Sequence, residues 1–237
     1  MPRKPELRDE LLAMLGRELE SAEAFYAAVD ADPAASGELD RRLAGPATPL
    51  IAALAAWDEA PPEAGELLEI NAANADRMAA IVDEHGWPGL RAVGADGADA
   101  AWMLAQHADG ANAVRRAWIP LLAEAVAAGD ADPRHLATLS DRVAAVAGDP
   151  QPYGTIAIVA PDGEVEYSLP PADPGALEAR RASIGLPSVS ADAPYLRDGD
   201  LIPYGPDRGD VPVLQWPLVL EGHVSVEAAL GDPGACR

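Results

Sequence analysis

Apolar residues recur at helical spacing in one segment after another from Pro5 to Ala147, and that period most narrows the folds open to this chain. Leu11, Leu12, Leu15, Leu19, Phe25 and Tyr26 set an amphipathic helix over Pro5 to Val29, with charge on its other face. Turn formers at 30–37 (DADPAASG) and 45–49 (GPATP) interrupt the pattern around a short LDRRL segment, so the first third reads as broken helices. Further helices are expected over roughly 50–57, 63–85, 97–108, 112–128 and 133–147. Gly86 with Pro88, Asp109-Gly110 and Gly129 supply stops, Asp132-Pro133 supplies a cap and first-turn proline, and Pro120 is expected to kink its helix.

At Gly148 the period changes. The stretch YGTIAIVAPDGEVEYSLP alternates around a Pro-Asp-Gly turn and reads as a β-hairpin over about 153–169, followed by a short helix near 174–184. Beyond Pro187 the chain is dense in Pro, Gly and Asp, although residues 213–230 could supply one or two strands. The expected fold is mainly α, with orthogonal or bundle-like packing, a small β-hairpin and an irregular C-terminal tail. The expected organisation is 1–60 (broken helices packing on the core), 61–190 (helical core with hairpin) and 191–237 (extension).

Composition excludes several classes. Hydrophobic residues make up 49%, which rules out wholesale disorder, and only 5% of residues are aromatic, so the core must come from closely packed, alanine-rich helices. A net charge of -22 without a basic stripe disfavours nucleic acid, whose binding needs Lys and Arg against phosphate. The charge suits solubility or a basic partner. The single cysteine, Cys236, allows no intrachain disulfide and no cysteine-rich zinc cluster, and an exposed thiol there is read as accidental. No apolar run approaches a membrane span and no secretory h-region opens the sequence, so a cytoplasmic location is expected. Phosphate-loop, dinucleotide, HExxH, GxSxG and EF-hand motifs are missing, and neither an organic cofactor nor a metal is expected.

Polar residues on apolar faces give the candidates. On the helix of 63–85, Asn71 and Asn74 fall in the centre of a stripe made by Leu67, Met78, Ile81, Val82 and His85. Burying an amide without partners costs about 1–3 kcal/mol, so the two either bond across the core or line a cavity. Gln106, His107 and Asp109 gather the polarity of the helix of 97–108 at its C-terminal end, where Asp109 could orient the His107 imidazole for proton transfer. On the helix of 133–147, His135 and Arg142 flank the apolar stripe while Asp141 points nearly opposite and is surface unless another helix or the hairpin packs there; Arg142 is either a solvated flank or an anion clamp at a cleft edge. Gln151 and Tyr153 sit on a proline-stiffened turn.

These segments resemble a bacterial family known only as a domain of unknown function. Its members share an Asx-x-x-Asn step, HGWP, QHAD, a DRV step and PQ-x-YGTQ. The matching residues here are Asn74, His85 to Pro88, Gln106 to Asp109, Asp141 to Val143, Pro150-Gln151 and Tyr153 to Thr155, and an RRA-x-x-GL segment matches Arg180 to Leu186. The resemblance covers roughly 65–190 and implies a helical fold with a small hairpin. Three polar positions of the pattern are changed, to Asn71, Val114 and Ile156.

The leading expectation is a small-molecule enzyme running hydrolysis or proton transfer without an organic cofactor. Its cleft would gather Asn71, Asn74, Gln106, His107, Asp109, Asp141, Arg142, Gln151 and Tyr153. His107 would act as general acid or base, Asp109 as its orienter and Arg142 as anchor for an anionic group, with the remaining residues placing the ligand. The rivals are a non-catalytic module that binds a small molecule or peptide through a degenerate site, and an acidic protein-interaction subunit.

Overall fold

The computed structural model describes residues 2–43, 50–159, 165–167 and 169–189. Among them eight α-helices carry the fold: α1 (Pro5–Asp30), α2 (Pro33–Leu43), α3 (Leu50–Ala55), α4 (Pro62–His85), α5 (Leu90–His107), α6 (Asn112–Ala127), α7 (Pro133–Ala147) and α8 (Leu177–Ser183). Single 3-10 turns stand at Asp109–Ala111 and Pro174–Ala176. The fold is mainly α, and none of its described helices is long and apolar enough to cross a membrane.

One expectation is overturned. The supposed turn at 30–37 contains the start of α2, where the Asp32 carboxylate accepts the Ala34 N–H at 2.9 Å and Pro33 occupies the first turn. The pair Asp132-Pro133 opens α7 in the same way, with the Asp132 side chain accepting the Arg134 N–H at 2.7 Å. At the other end of α7, Gly148 takes the left-handed conformation that a side chain would disfavour, and its N–H closes the last turn. Pro120 lies inside α6.

β1 (Ala157–Val159) and β2 (Val165–Tyr167) pair antiparallel, with Ala157 opposite Tyr167 and Val159 opposite Val165. The turn expected between them and the tail expected from 191 onward, Cys236 included, lie outside the described residues.

α1 packs along α4 and α5, and α7 packs against α5 and α6. Leu11, Leu15, Leu19 and Phe25 of α1 are completely buried, each contributing roughly 1.5–3 kcal/mol through loss of apolar surface to water. The apolar core falls into two clusters. One takes Leu11, Met14, Leu15 and Leu19 of α1 with Ala75, Met78, Ile81 and Val82 of α4. The other takes Ala22, Phe25 and Val29 of α1 with Ala64 and Leu67 of α4. Later residues of α1 therefore meet earlier residues of α4, so the two helices run antiparallel. Each crosses from one cluster to the other at a polar step: Glu18 and Ser21 on α1, Asn71 and Asn74 on α4.

Candidate functional site

That polar step is where the candidate site is built. Glu18, Asn71 and Asn74 are buried, at 2%, 4% and 5% exposure. The Asn74 amide donates to a Glu18 oxygen at 2.7 Å and lies 3.5 Å from the Met14 carbonyl. The other Glu18 oxygen stands 2.5 Å from Nδ1 of His107, the last residue of α5. A carboxylate can only accept, so in this contact the imidazole donates through Nδ1. The Ser21 hydroxyl, also buried, has no hydrogen-bond partner among the described residues.

Glu18 thus takes the place that sequence reasoning gave to Asp109. The residue was detectable: position 18 continues the stripe of Leu11, Met14 and Leu15 toward Ala22 and Phe25, and it is the one carboxylate on that stripe. The wheel that exposed Asn71 and Asn74 finds it when applied to α1.

Asp109 belongs to a second group. Its Oδ1 accepts from Arg115 Nη1 at 2.6 Å and from Arg142 Nε at 3.1 Å, and its Oδ2 accepts from Arg142 Nη2 at 2.7 Å. Arg115, absent from the sequence-based candidates, is wholly buried; it also donates to the Gln106 carbonyl at 2.8 Å and to Asn112 Oδ1 at 3.0 Å. Its Nε has no partner among the described residues. Burial pushes the Arg115 guanidinium below its ordinary value; Asp109 opposes that, and the neighbouring Arg142 charge adds to it. The two arginine contacts fall on residues 106 and 109, on either side of His107 in the chain.

A third group holds the loop after α7. Asp141, fully buried, accepts the N–H groups of Tyr153 at 2.7 Å and Thr155 at 2.6 Å, and the Thr155 hydroxyl at 2.7 Å. Burial pushes its carboxyl up to about 6, against the pull of those three donors and of Arg181. Gln151, equally buried, accepts the Ile156 N–H at 2.8 Å and donates to the carbonyls of Ile156 at 3.0 Å and Leu169 at 2.6 Å. Tyr153 is half-buried, and its hydroxyl is raised by burial and by the Asp141 charge.

Apart from Asn71 and the Gln106 side chain, the expected residues therefore fall into three hydrogen-bonded groups. With its amide oriented to suit its neighbours, Gln106 accepts from Thr138 at 2.9 Å and from the Leu139 N–H at 3.2 Å, tying α5 to α7. His135, read from sequence as a flank, is buried at 1% exposure; it stacks on Trp102 at 4.6 Å, with Nε2 3.2 Å from Asp99. Of the changed positions, Val114 is exposed on α6, and Ile156 is held by its backbone through Gln151. Among the described residues no three acidic, histidine or cysteine side chains gather as a metal site.

Residues 42–201 match the model of a family of unknown function, DUF6624, and the chain belongs to that family. No curated protein and no solved structure matches it. The matched residues hold Asn74, His107, Asp109, Arg115 and Arg142, whereas Glu18 on α1 lies before them.

Proposed function

We propose that the chain is a small-molecule enzyme in which His107 acts as general acid or base, running hydrolysis or a proton transfer. The observation that supports this is the Glu18–His107 contact: a buried carboxylate fixing one ring nitrogen of a histidine at a helix end. Such a carboxylate sets the tautomer and stabilises the imidazolium that forms when Nε2 takes a proton. Glu18 is then a positioning residue acting through His107, and Asn74 positions Glu18 in turn. Asp141 and Gln151, whose polar atoms are engaged with the backbone of the following loop, are assigned to the scaffold.

The test is turnover of a panel of esters, thioesters and amides, together with deuterium uptake next to a carbonyl followed by mass spectrometry. A positioned general acid or base is worth about 10²- to 10⁴-fold. His107→Gln should lose a factor in that range, and Glu18→Gln should lower the rate while moving its pH profile. Activity indifferent to both substitutions would overturn the assignment.

A second reading is that the layer only fixes the register of α1 against α4. The Asn74 contacts to Glu18 and to the Met14 carbonyl favour it, since a buried polar match can specify helix pairing without any ligand. On that reading the chain is an acidic protein-interaction subunit, and the whole panel stays untouched by wild type.

A further inference from the structure

The arginine pair on Asp109 carries an imbalance of charge. Two guanidiniums share one carboxylate, leaving one positive charge over in a chain whose net charge is -22. Arg115 spends its donors inside the fold, on Asp109, Asn112 and the Gln106 carbonyl, and is completely buried. Arg142 differs: its side chain is 29% exposed, and it meets Asp109 through one edge only, that of Nε and Nη2. A guanidinium has five N–H donors and two edges that each fit a carboxylate. The end-on edge of Arg142, made by Nη1 and the second Nη2 hydrogen, has no partner among the described residues. Asp109 holds the guanidinium in place from behind, as a fixed neighbour does for a binding group.

We propose that the end-on edge of Arg142 binds the carboxylate of a small-molecule ligand, with Asp109 orienting it and buried Arg115 supplying the uncompensated charge. This deepens the acid-base reading above and rests on it for the claim that the ligand is a substrate. The substrate class is then a monocarboxylate. The surplus of one charge suits a monoanion better than the phosphate dianion, and the guanidinium fork already holds one carboxylate through two contacts. The desolvation that lowers the Arg115 guanidinium adds a second reason for an arriving anion to be welcome.

The probe is acetate, titrated at neutral pH and constant ionic strength against chloride and against inorganic phosphate. The readout is the arginine Nε–Hε region of a ¹H–¹⁵N spectrum of the full chain. Wild type should show a saturable shift with acetate that chloride does not reproduce, at least tenfold weaker in Arg142→Gln and several-fold weaker in Arg142→Lys, which keeps the charge and loses the fork. No acetate response beyond chloride, or one that survives Arg142→Gln, overturns the site. A tenfold preference for phosphate overturns the carboxylate class. The two proposals fail separately: acetate binding that depends on Arg142 stands even if the panel is never turned over, and His107-dependent turnover without acetate binding removes only the substrate class.

Discussion

The loop cluster around Asp141 and Gln151 and the inter-helix layer around Glu18 and His107 are equally buried, yet they are made differently. In the loop, side-chain oxygens and nitrogens meet backbone groups a few residues away, 5 to 18 along the chain. In the layer, side chains from three helices meet each other across separations of 56 and 89 residues. A buried side chain that completes backbone hydrogen bonds has its task accounted for. A buried carboxylate that spends itself on an imidazole has stabilised a particular protonation pattern. Burial of a polar group therefore does not mark a site; the identity of its partner does.

The largest expected effect is in the loop. Asp141→Ala orphans two buried N–H groups and a hydroxyl, and should cost about 3–5 kcal/mol in urea unfolding. A loss below about 1 kcal/mol would mean that water replaces the carboxylate, and the two clusters would no longer contrast.

A pH dependence of similar origin follows. The folded Asp141 carboxyl sits at about 6 against an ordinary 3.8, so the folded state holds its proton more tightly than the unfolded chain does. Its stabilising contribution is present below about 4 and is lost as pH rises through about 6, a difference of up to about 3 kcal/mol. Unfolding measured from pH 4 to 7 should show wild type losing stability relative to Asp141→Asn over that window. A flat difference between the two would show the carboxylate to be ionised throughout.

In the layer, Glu18→Leu strands both Asn74 and His107 and should cost roughly 1–3 kcal/mol. Replacing all three by leucine removes every polar group at once and should recover most of that loss, because an apolar substitute for a buried polar set is often neutral or better. Non-additivity of this kind is the signature of a coupled set. Simple addition of the three single effects would break the layer into unrelated contacts.

The helices were legible because the chain repeats its apolar residues at their period, and α7 was legible in full because Asp132, Pro133 and Gly148 punctuate it. α2 was misread although Asp32-Pro33 carries the same signal as Asp132-Pro133; eight residues without an apolar stripe outweighed a start signal that was present. The polar positions on α4 and at the end of α5 were visible as departures from an apolar pattern. Which of them meet was not, because a wheel places residues on one helix and says nothing of the neighbour. Asp109 beside His107 in sequence looked like its partner, but a two-residue step at a helix end turned the carboxylate toward Arg115 and Arg142, and the partner came from α1.

The smallest expected effect sharpens the comparison most, since it lies on the same pair of helices. Arg77 on α4 grips Glu10 on α1 through both oxygens, at 2.6 and 3.0 Å, but the two side chains are 42% and 37% exposed. The arginine holds the Glu10 carboxyl below its ordinary range, yet an exposed pair is screened by water and salt and is worth at most about 1 kcal/mol. Arg77→Ala should therefore cost about 0.5 kcal/mol, and less at 1 M salt, while the cost of Glu18→Leu should hardly respond to salt because water and ions do not reach it. Equal salt dependence of the two would mean that the layer is wet.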